Sequence, residues 1–587
     1  MTRLLTDNLK RIKIPLLVFL ISLLIRLPFT SSSTYAWDSN EYLKWCYEYH
    51  ELGATPTTRL YISHPLYFFL IYVASLLGSV VTGNLNFEKS GIFVSVLFGS
   101  LSVIPMYYIA LYLFRNEIFA LISSLLFSFC PVIWFLSEEL MTDVPSICIV
   151  LSGFAFILKW FNKQRMKYLI ISSVFIGLSF LIRISNYFIL PVYFMPVFIN
   201  SYKRKTLKPI IISSIIIVPY LLYILFNVFV KGVSLEFLFT TTEQVKMFFS
   251  RLVTIETWAI FIKIMISTLT ITLSSFLLVF IYIYITGKFY KNNDNNKNLK
   301  FSFLFIILWI LPYLIIWRTF TWDSQHLRLI IILIPPMILM ITYVIVWLIN
   351  NYSNNILLTC LGITIIGFFI VTDHLLMYHI QWGISDLIKN FIKFIIENGY
   401  LFFIKIVVIL AVLYSFSYFV ISKISKITDK KEKDNLILKY ITVLLLIHLT
   451  IYTVPLLVMN HNKIVYEKAE ALWLAENTPS DSVLIGGHEF PFYQVYAKPR
   501  RVINMWYLDN SINFLKNLLV SGKRIFVCSN DFIEEWKTKS GKIFIFQIVG
   551  KIGAEKLRNQ ADCDFHFLNY VTYKKAYDII VYELKYK

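Results

Sequence analysis

The sequence predicts an α-helical polytopic membrane protein with a small α/β domain at its C-terminal end. Three observations carry that prediction. Of 587 residues, 57% are hydrophobic and only 15% charged, where soluble domains carry about a quarter charged residues. Mean hydropathy is +0.67, and runs of about 20 apolar residues, enough to cross a bilayer as a helix, recur along most of the chain. Beyond residue 460 those runs stop, and short β-type runs alternate with helical ones, as in an α/β domain.

The formal charge of +20 argues against nucleic-acid binding once its placement is considered. The basic residues fall in short loops between apolar runs rather than on a soluble basic domain, which is the signature of cytoplasmic loops. The first run, IPLLVFLISLLIRLPF (14–29), follows RLLTDNLKRIK and lacks a small-residue cleavage site. It reads as a retained helix rather than a signal peptide, with the N-terminus inside.

The later basic loops are 162–167, 201–208, 288–300 and 423–434. All lie inside only if the apolar run 64–83 does not cross. We therefore expect a non-crossing juxtamembrane helix there, within a first external loop at 30–89. The spans then fall near 14–29, 90–113, 117–136, 144–161, 168–183, 186–200, 209–231, 259–287, 301–317, 328–349, 356–376, 399–421 and 439–457. That is about thirteen transmembrane helices. They form a domain over 1–459, followed by an extracytoplasmic α/β domain over 460–587.

In the tail, EKAEALWLAENTP, SINFLKNLLVSG and DFIEEWKTK read as helices. SVLIGG (482–487), RVINMW (501–506), KRIFVCS (523–529) and KIFIFQIV (542–549) read as strands. No GxGxxG fingerprint and no CxxC pair occurs. Cys528 and Cys563 share this domain, where either a disulfide or buried thiols would suit.

On this topology ionisable residues gather on the external face. The first loop holds Asp38, Glu41, Tyr42 and His64. SEELMTDVP supplies Glu138, Glu139 and Asp143, Arg183 interrupts two apolar runs, and RTFTWDSQHLR adds His326 and Arg328. An ionisable group at the lipid boundary is costly and points to function. Plainer roles exist for each: a solvated loop for Glu41, interfacial anchoring around Asp38, helix capping for Asp143, and a structural salt bridge from Arg183 to Asp143 or Glu138. A carboxylate here would deprotonate an acceptor hydroxyl, while cations would stabilise a phosphate leaving group. Nucleotide sugars are lacking outside the cytoplasm, so a donor carried on a lipid phosphate fits the chemistry.

The motif set resembles the GT-C class of integral-membrane glycosyltransferases, of the protein O-mannosyltransferase and aminoarabinose transferase type (family 39). WDSNEY matches the Asp-bearing first loop, with Asp38, Glu41 and Tyr42. His64-Pro65-Leu66 matches a His-Pro-Pro-Leu helix start with one Pro missing. MTDVP places the second acid at Asp143, and SFLIRIS the later basic residue at Arg183. The resemblance implies a GT-C fold and an inverting transferase moving a sugar from a polyprenyl- or dolichyl-phosphate donor to an acceptor hydroxyl on a protein, lipid or glycan.

Within that resemblance, Asp38 is the expected base, with Asp143 and Glu41 beside it. Arg183, Arg328 and His326 hold the donor phosphate, and Tyr42, His64 and Glu138 contact substrate. No cofactor is required, and a divalent metal bridging Asp38 and Asp143 is compatible but unforced. An oligosaccharyltransferase-like enzyme is the nearest alternative. From another class, a transporter or flippase would place its charges near the bilayer midplane and show repeats, and neither is visible here. An inactive homologue also stays open.

Overall fold

The computed structural model describes residues 2–31, 37–52, 64–231, 296–317, 331–352, 412, 414–424, 426–427, 429–461, 464–486, 490–504, 512–528, 544–552, 557–558 and 579–586. The expected spans 259–287 and 356–376, most of 399–421, and the segment bearing His326 and Arg328 lie outside the described residues.

The membrane portion opens with α1 (Thr2–Arg26), α2 (Trp37–Leu52), α3 (Pro65–Thr82), α4 (Phe87–Leu101) and α5 (Val103–Phe114). It continues through α6 (Glu117–Ser128), α7 (Pro131–Ser137), α8 (Asp143–Lys163), α9 (Met166–Ile182) and α10 (Leu190–Arg204). Then follow α11 (Lys208–Ser213), α12 (Val218–Lys231), α13 (Asn296–Trp317), α14 (Ile334–Tyr352) and α15 (Lys430–His461). Six helical units among the described residues are long and apolar enough to span a bilayer, or seven if α6 and α7 count together.

Local chemistry explains the helix ends. Asn86 and Asn116 precede α4 and α6, and each side chain accepts a backbone N–H of the first turn, from Lys89 at 2.9 Å and from Ile118 at 2.9 Å. The helices α5, α8 and α10 all close on a residue in the left-handed region: Arg115 (φ 53°), Gln164 (φ 58°) and Lys205 (φ 51°). Each sits in a basic turn, where cations complement the negative helix end.

The expected span at 90–113 forms as one unit, Phe87–Phe114, with Ser102 at the junction of α4 and α5 in helical conformation, whereas the 117–136 run bends by 55° between α6 and α7. Pro131 at the first position of α7 lacks an N–H to continue the helix before it.

The first loop has an apolar core of its own, in which Tyr42, Trp45, Tyr67, Ile71 and Phe87 are buried together with Leu140 from the loop after α7. Gly78 of α3 lies against Ser90, Ile71 against Gly91, and Tyr67 Oη is 3.4 Å from Ser95 Oγ. These contacts pack α3 antiparallel beside α4, and α3 is itself one of the helices long and apolar enough to span a bilayer. A side chain at Gly91 or Gly99 would strike Leu140 or Ser137. These two glycines let α4 approach the 137–144 loop closely, as small residues do between membrane helices.

The tail comprises α16 (Tyr466–Asn477), α17 (Phe490–Tyr496), α18 (Ile512–Val520) and a five-stranded sheet. The sheet strands are β2 (Val483–Gly486), β3 (Arg501–Asn504), β4 (Ile525–Cys528), β5 (Phe544–Ile552) and β7 (Ile579–Tyr586); short β1 (Ile464–Val465) and β6 (Leu557–Arg558) pair in parallel apart from it. Spatial order is β3-β2-β4-β7-β5, with β2 parallel to β3 and β4, and β7 antiparallel to β4 and β5.

Alternate residues serve two layers. Val483, Ile485, Ile525 and Val527 pack with Leu515 of α18, while Leu484, Phe526 and Cys528 join the main core. Four strands expected from the sequence are present, and β7 is an addition. The helix expected at DFIEEWKTK and the Cys563 half of the cysteine question lie outside the described residues.

The tail is seated on the first loop. Val495 of α17 is buried in the first-loop core. Lys468 Nζ reaches Glu88 Oε1 at 2.7 Å and lies over the Tyr496 ring. Lys498 Nζ reaches Glu51 Oε2 at 3.1 Å and lies over the Tyr47 ring.

Candidate active site

The loop 138–143 carries three carboxylates, and each finds its partner on a different element. Glu138 is buried after α7, where its Oε1 accepts from Trp134 Nε1 at 3.1 Å. Behind the indole, 5.9 Å from its centroid, sits the guanidinium of Arg26. That guanidinium is fully buried and donates from Nη2 to Ser128 O at 2.6 Å and from Nη1 to Ser22 O at 3.0 Å. Its own α1 and the end of α6 thus satisfy much of its charge, as a buried cation requires.

Glu139, also buried, accepts from Ser39 Oγ at 2.6 Å; the same hydroxyl lies 2.7 Å from Leu140 O. Ser39 is the third residue of α2, so this contact ties the start of that helix to the 138–143 loop. Asp38 is its second residue; its side chain lies outside the described atoms. Glu41 and Tyr42 are buried on the same helix. The Tyr42 ring packs edge-on against Trp45, His64 and Tyr67.

Asp143 is the first residue of α8, and its carboxylate is fully buried against Arg183 Nη1. The salt-bridge partner expected from the sequence is therefore Asp143 rather than Glu138. Arg183 keeps 14% side-chain exposure while Asp143 has none, so the cation presents the pair outward. Arg183 sits at a break: its φ of −154° and ψ of 112° end α9, and a 3₁₀ stretch at Ile184–Ile189 leads into α10. His64 of the first loop reaches this break, its Nδ1 lying 2.7 Å from Ile182 O. That contact gives His64 a backbone partner at the site.

Of the sequence-derived residues, the structure pairs Asp143 with Arg183 and brings His64, against which Tyr42 packs, to the adjoining Ile182 carbonyl; Glu41 is buried on α2, and Glu138 turns instead to Trp134. His326 and Arg328 lie outside the described residues. Sequence reasoning passed over Arg26, Ser39 and Asn186. Arg26 carried a readable signal, since it is an ionisable residue inside an apolar run. Ser39 and Asn186 carried none, because their partners are far away in the chain. Among the described residues, no group of three or more His, Cys, Asp or Glu side chains gathers as a metal site would.

Comparison with known proteins follows this geometry. The family of dolichyl-phosphate-mannose-protein mannosyltransferases matches residues 63–230, the stretch running from α3 through α12. The crystal structure of ArnT from Cupriavidus metallidurans bound to undecaprenyl phosphate superposes with a TM-score of 0.53 at 12% identity, over 98% of this chain and 98% of that one. Its apo-state structure gives a TM-score of 0.49 at 10% identity, over 99% and 98% of the two chains. No curated protein sequence matches this chain significantly. The fold is the GT-C fold, with a small sheet-containing domain at the C-terminal end.

Proposed function

We propose that the protein is a glycosyltransferase that moves a sugar from a polyprenyl- or dolichyl-phosphate donor to an acceptor hydroxyl at the extracytoplasmic face of the membrane. One observation carries this reading: the partly exposed Arg183, aimed by a buried Asp143, at a helix break beside the Asp38-bearing helix α2. A guanidinium oriented by a buried carboxylate is of the residue type whose planar fork suits phosphate oxygens. The match to a mannosyltransferase family, and a shared fold with a protein crystallised with undecaprenyl phosphate, point the same way.

In this reading Asp38 takes the proton of the acceptor hydroxyl as it attacks the anomeric carbon. The sugar–phosphate bond breaks, and the lipid phosphate leaves with its charge held by Arg183. Asp143 orients that arginine, and Glu139 with Ser39 fixes the start of α2. We assign Glu138 to packing around Arg26 rather than to substrate. The placement of basic residues in the sequence supports a cytoplasmic N-terminus and an extracytoplasmic tail, with α3 along the membrane surface.

The test supplies the purified protein with labelled polyprenyl-phosphate sugars and a hydroxyl acceptor, and measures release of free polyprenyl phosphate. Wild type turns over while Asp38→Asn falls by at least ~100-fold, the scale of a lost general base. Equal turnover in the two removes Asp38 from this role. Vectorial movement of substrate in liposomes without turnover would instead make the protein a transporter.

A further inference from the structure

We infer that Asn186 is a positioning residue for Arg183, acting with Ser146 as a second rung beneath the Asp143–Arg183 pair. Asp143 and Ser146 stand three residues apart on α8, one turn of one helix face. Arg183 and Asn186 stand three apart across the break. The rungs are Asp143 to Arg183 and Ser146 to Asn186, so the same two segments are joined twice in register.

The second rung is dry and closely fitted. Ser146 and Asn186 are each 2% exposed. Asn186 Nδ2 donates to Ser146 Oγ at 2.8 Å and to Ser179 O at 3.0 Å, and its Oδ1 lies 3.1 Å from the same hydroxyl. Ser179 O also accepts the Arg183 N–H, at 2.9 Å, and Asn186 N donates to Arg183 O at 3.1 Å. One side chain therefore closes the C-terminal end of α9, joins it to α8 and brackets the arginine backbone.

The reason for such a device lies in the break. A helix end within a membrane protein leaves carbonyls that lipid cannot satisfy. His64 takes Ile182 O, and Asn186 adds a second bond to Ser179 O, which already accepts the Arg183 N–H. With both ends of the 179–186 segment held, the direction in which Arg183 leaves the backbone is set before any donor arrives, and preorganised cations hold developing charge best. Loss of the Asn186 rung frees the segment to move, and a misplacement of about 1 Å is enough to weaken a charged contact severely.

This inference rests on the phosphate-binding role of Arg183. Its test measures equilibrium binding of undecaprenyl phosphate to the purified full chain, alongside the thermal midpoint of each variant. Asn186→Ala is expected to weaken binding about tenfold, and Ser146→Ala to weaken it by a smaller factor with the same sign, while Arg183→Gln weakens it on its own. In the Arg183→Gln background, Asn186→Ala should add nothing, the coupling expected of residues acting as a unit. Binding by Asn186→Ala equal to wild type, or a loss that adds in full to that of Arg183→Gln, would overturn the inference while leaving the proposed function intact. If Asn186→Ala does not fold, Ser146→Ala with the same cycle decides. No binding by wild type overturns the proposed function itself.

Discussion

Two arginines meet carboxylates around one loop, and the molecule treats them in opposite ways. Arg26 is sealed: fully buried, bonded to the Ser22 and Ser128 backbone, and 5.9 Å from the centre of the Trp134 ring whose N–H donates to Glu138. Arg183 is open: its carboxylate partner is buried, while 14% of its own side chain faces outward. The sealed site joins α1 to the α6–α7 bend, and its charge serves packing. The open site joins α8 to a helix break, and its cation keeps partial exposure there. The same pair of residue types becomes structure or chemistry according to what surrounds the guanidinium.

Mutation should separate the two. Arg26→Leu leaves Glu138 buried without its cation and is expected to cost about 3–5 kcal/mol, visible as loss of monodisperse protein in detergent. Arg183→Lys keeps the charge but loses the planar fork. It should leave the thermal midpoint within a few degrees while weakening undecaprenyl phosphate binding roughly tenfold. Equal damage to stability by both would erase the contrast.

The carboxylates sharpen it further. Turnover of a polyprenyl-phosphate sugar should fall by at least ~100-fold in Asp143→Asn, because Arg183 loses its electrostatic anchor. Glu138→Gln keeps an acceptor for Trp134 and should stay within about threefold of wild type. A large drop in Glu138→Gln would return that residue to the reaction.

The loop's third carboxylate gives a smaller effect. Ser39→Ala removes one buried hydrogen bond to Glu139, about 1–2 kcal/mol, and should lower the thermal midpoint modestly and turnover by about tenfold.

The least effect belongs to the tail surface. Asp481 is exposed and hydrogen-bonded to Lys523 at 3.0 Å, which holds its carboxyl below the usual range, with the charge of Lys523 adding to this. A folded-state value below the unfolded one contributes above the ordinary carboxylate range and is lost as acid protonates the group. Because the pair is exposed, Asp481→Asn should leave the melting profile unchanged across neutral pH.

How much of this was legible beforehand depends on distance along the chain. The span at 144–161, the helix at Tyr466–Asn477 and four tail strands follow from local periodicity, and they formed where expected. So did the meeting of Asp143 with Arg183, because both are ionisable residues at lipid boundaries, where few partners exist. The bend before Pro131 was hidden inside a uniformly apolar run, which looks alike whether straight or bent. Ser39 and Glu139 are 100 residues apart, and Arg26 and Ser128 are 102 apart. No pattern in either segment names the other, and tertiary packing alone makes the match. The β7 strand was missed because its inner neighbours, β4 and β5, lie far upstream.

The seat of the tail on the first loop has a consequence for how this protein can be altered. Val495 is buried among residues of α2, α3 and α4, and the lysines Lys468 and Lys498 reach Glu88 and Glu51 across that contact. The 460–587 region is therefore not a detachable module. A chimera that exchanges it for another protein's tail inherits a mismatched floor unless residues 37–101 are exchanged with it, so the two segments, far apart in the chain, should be transplanted as one part.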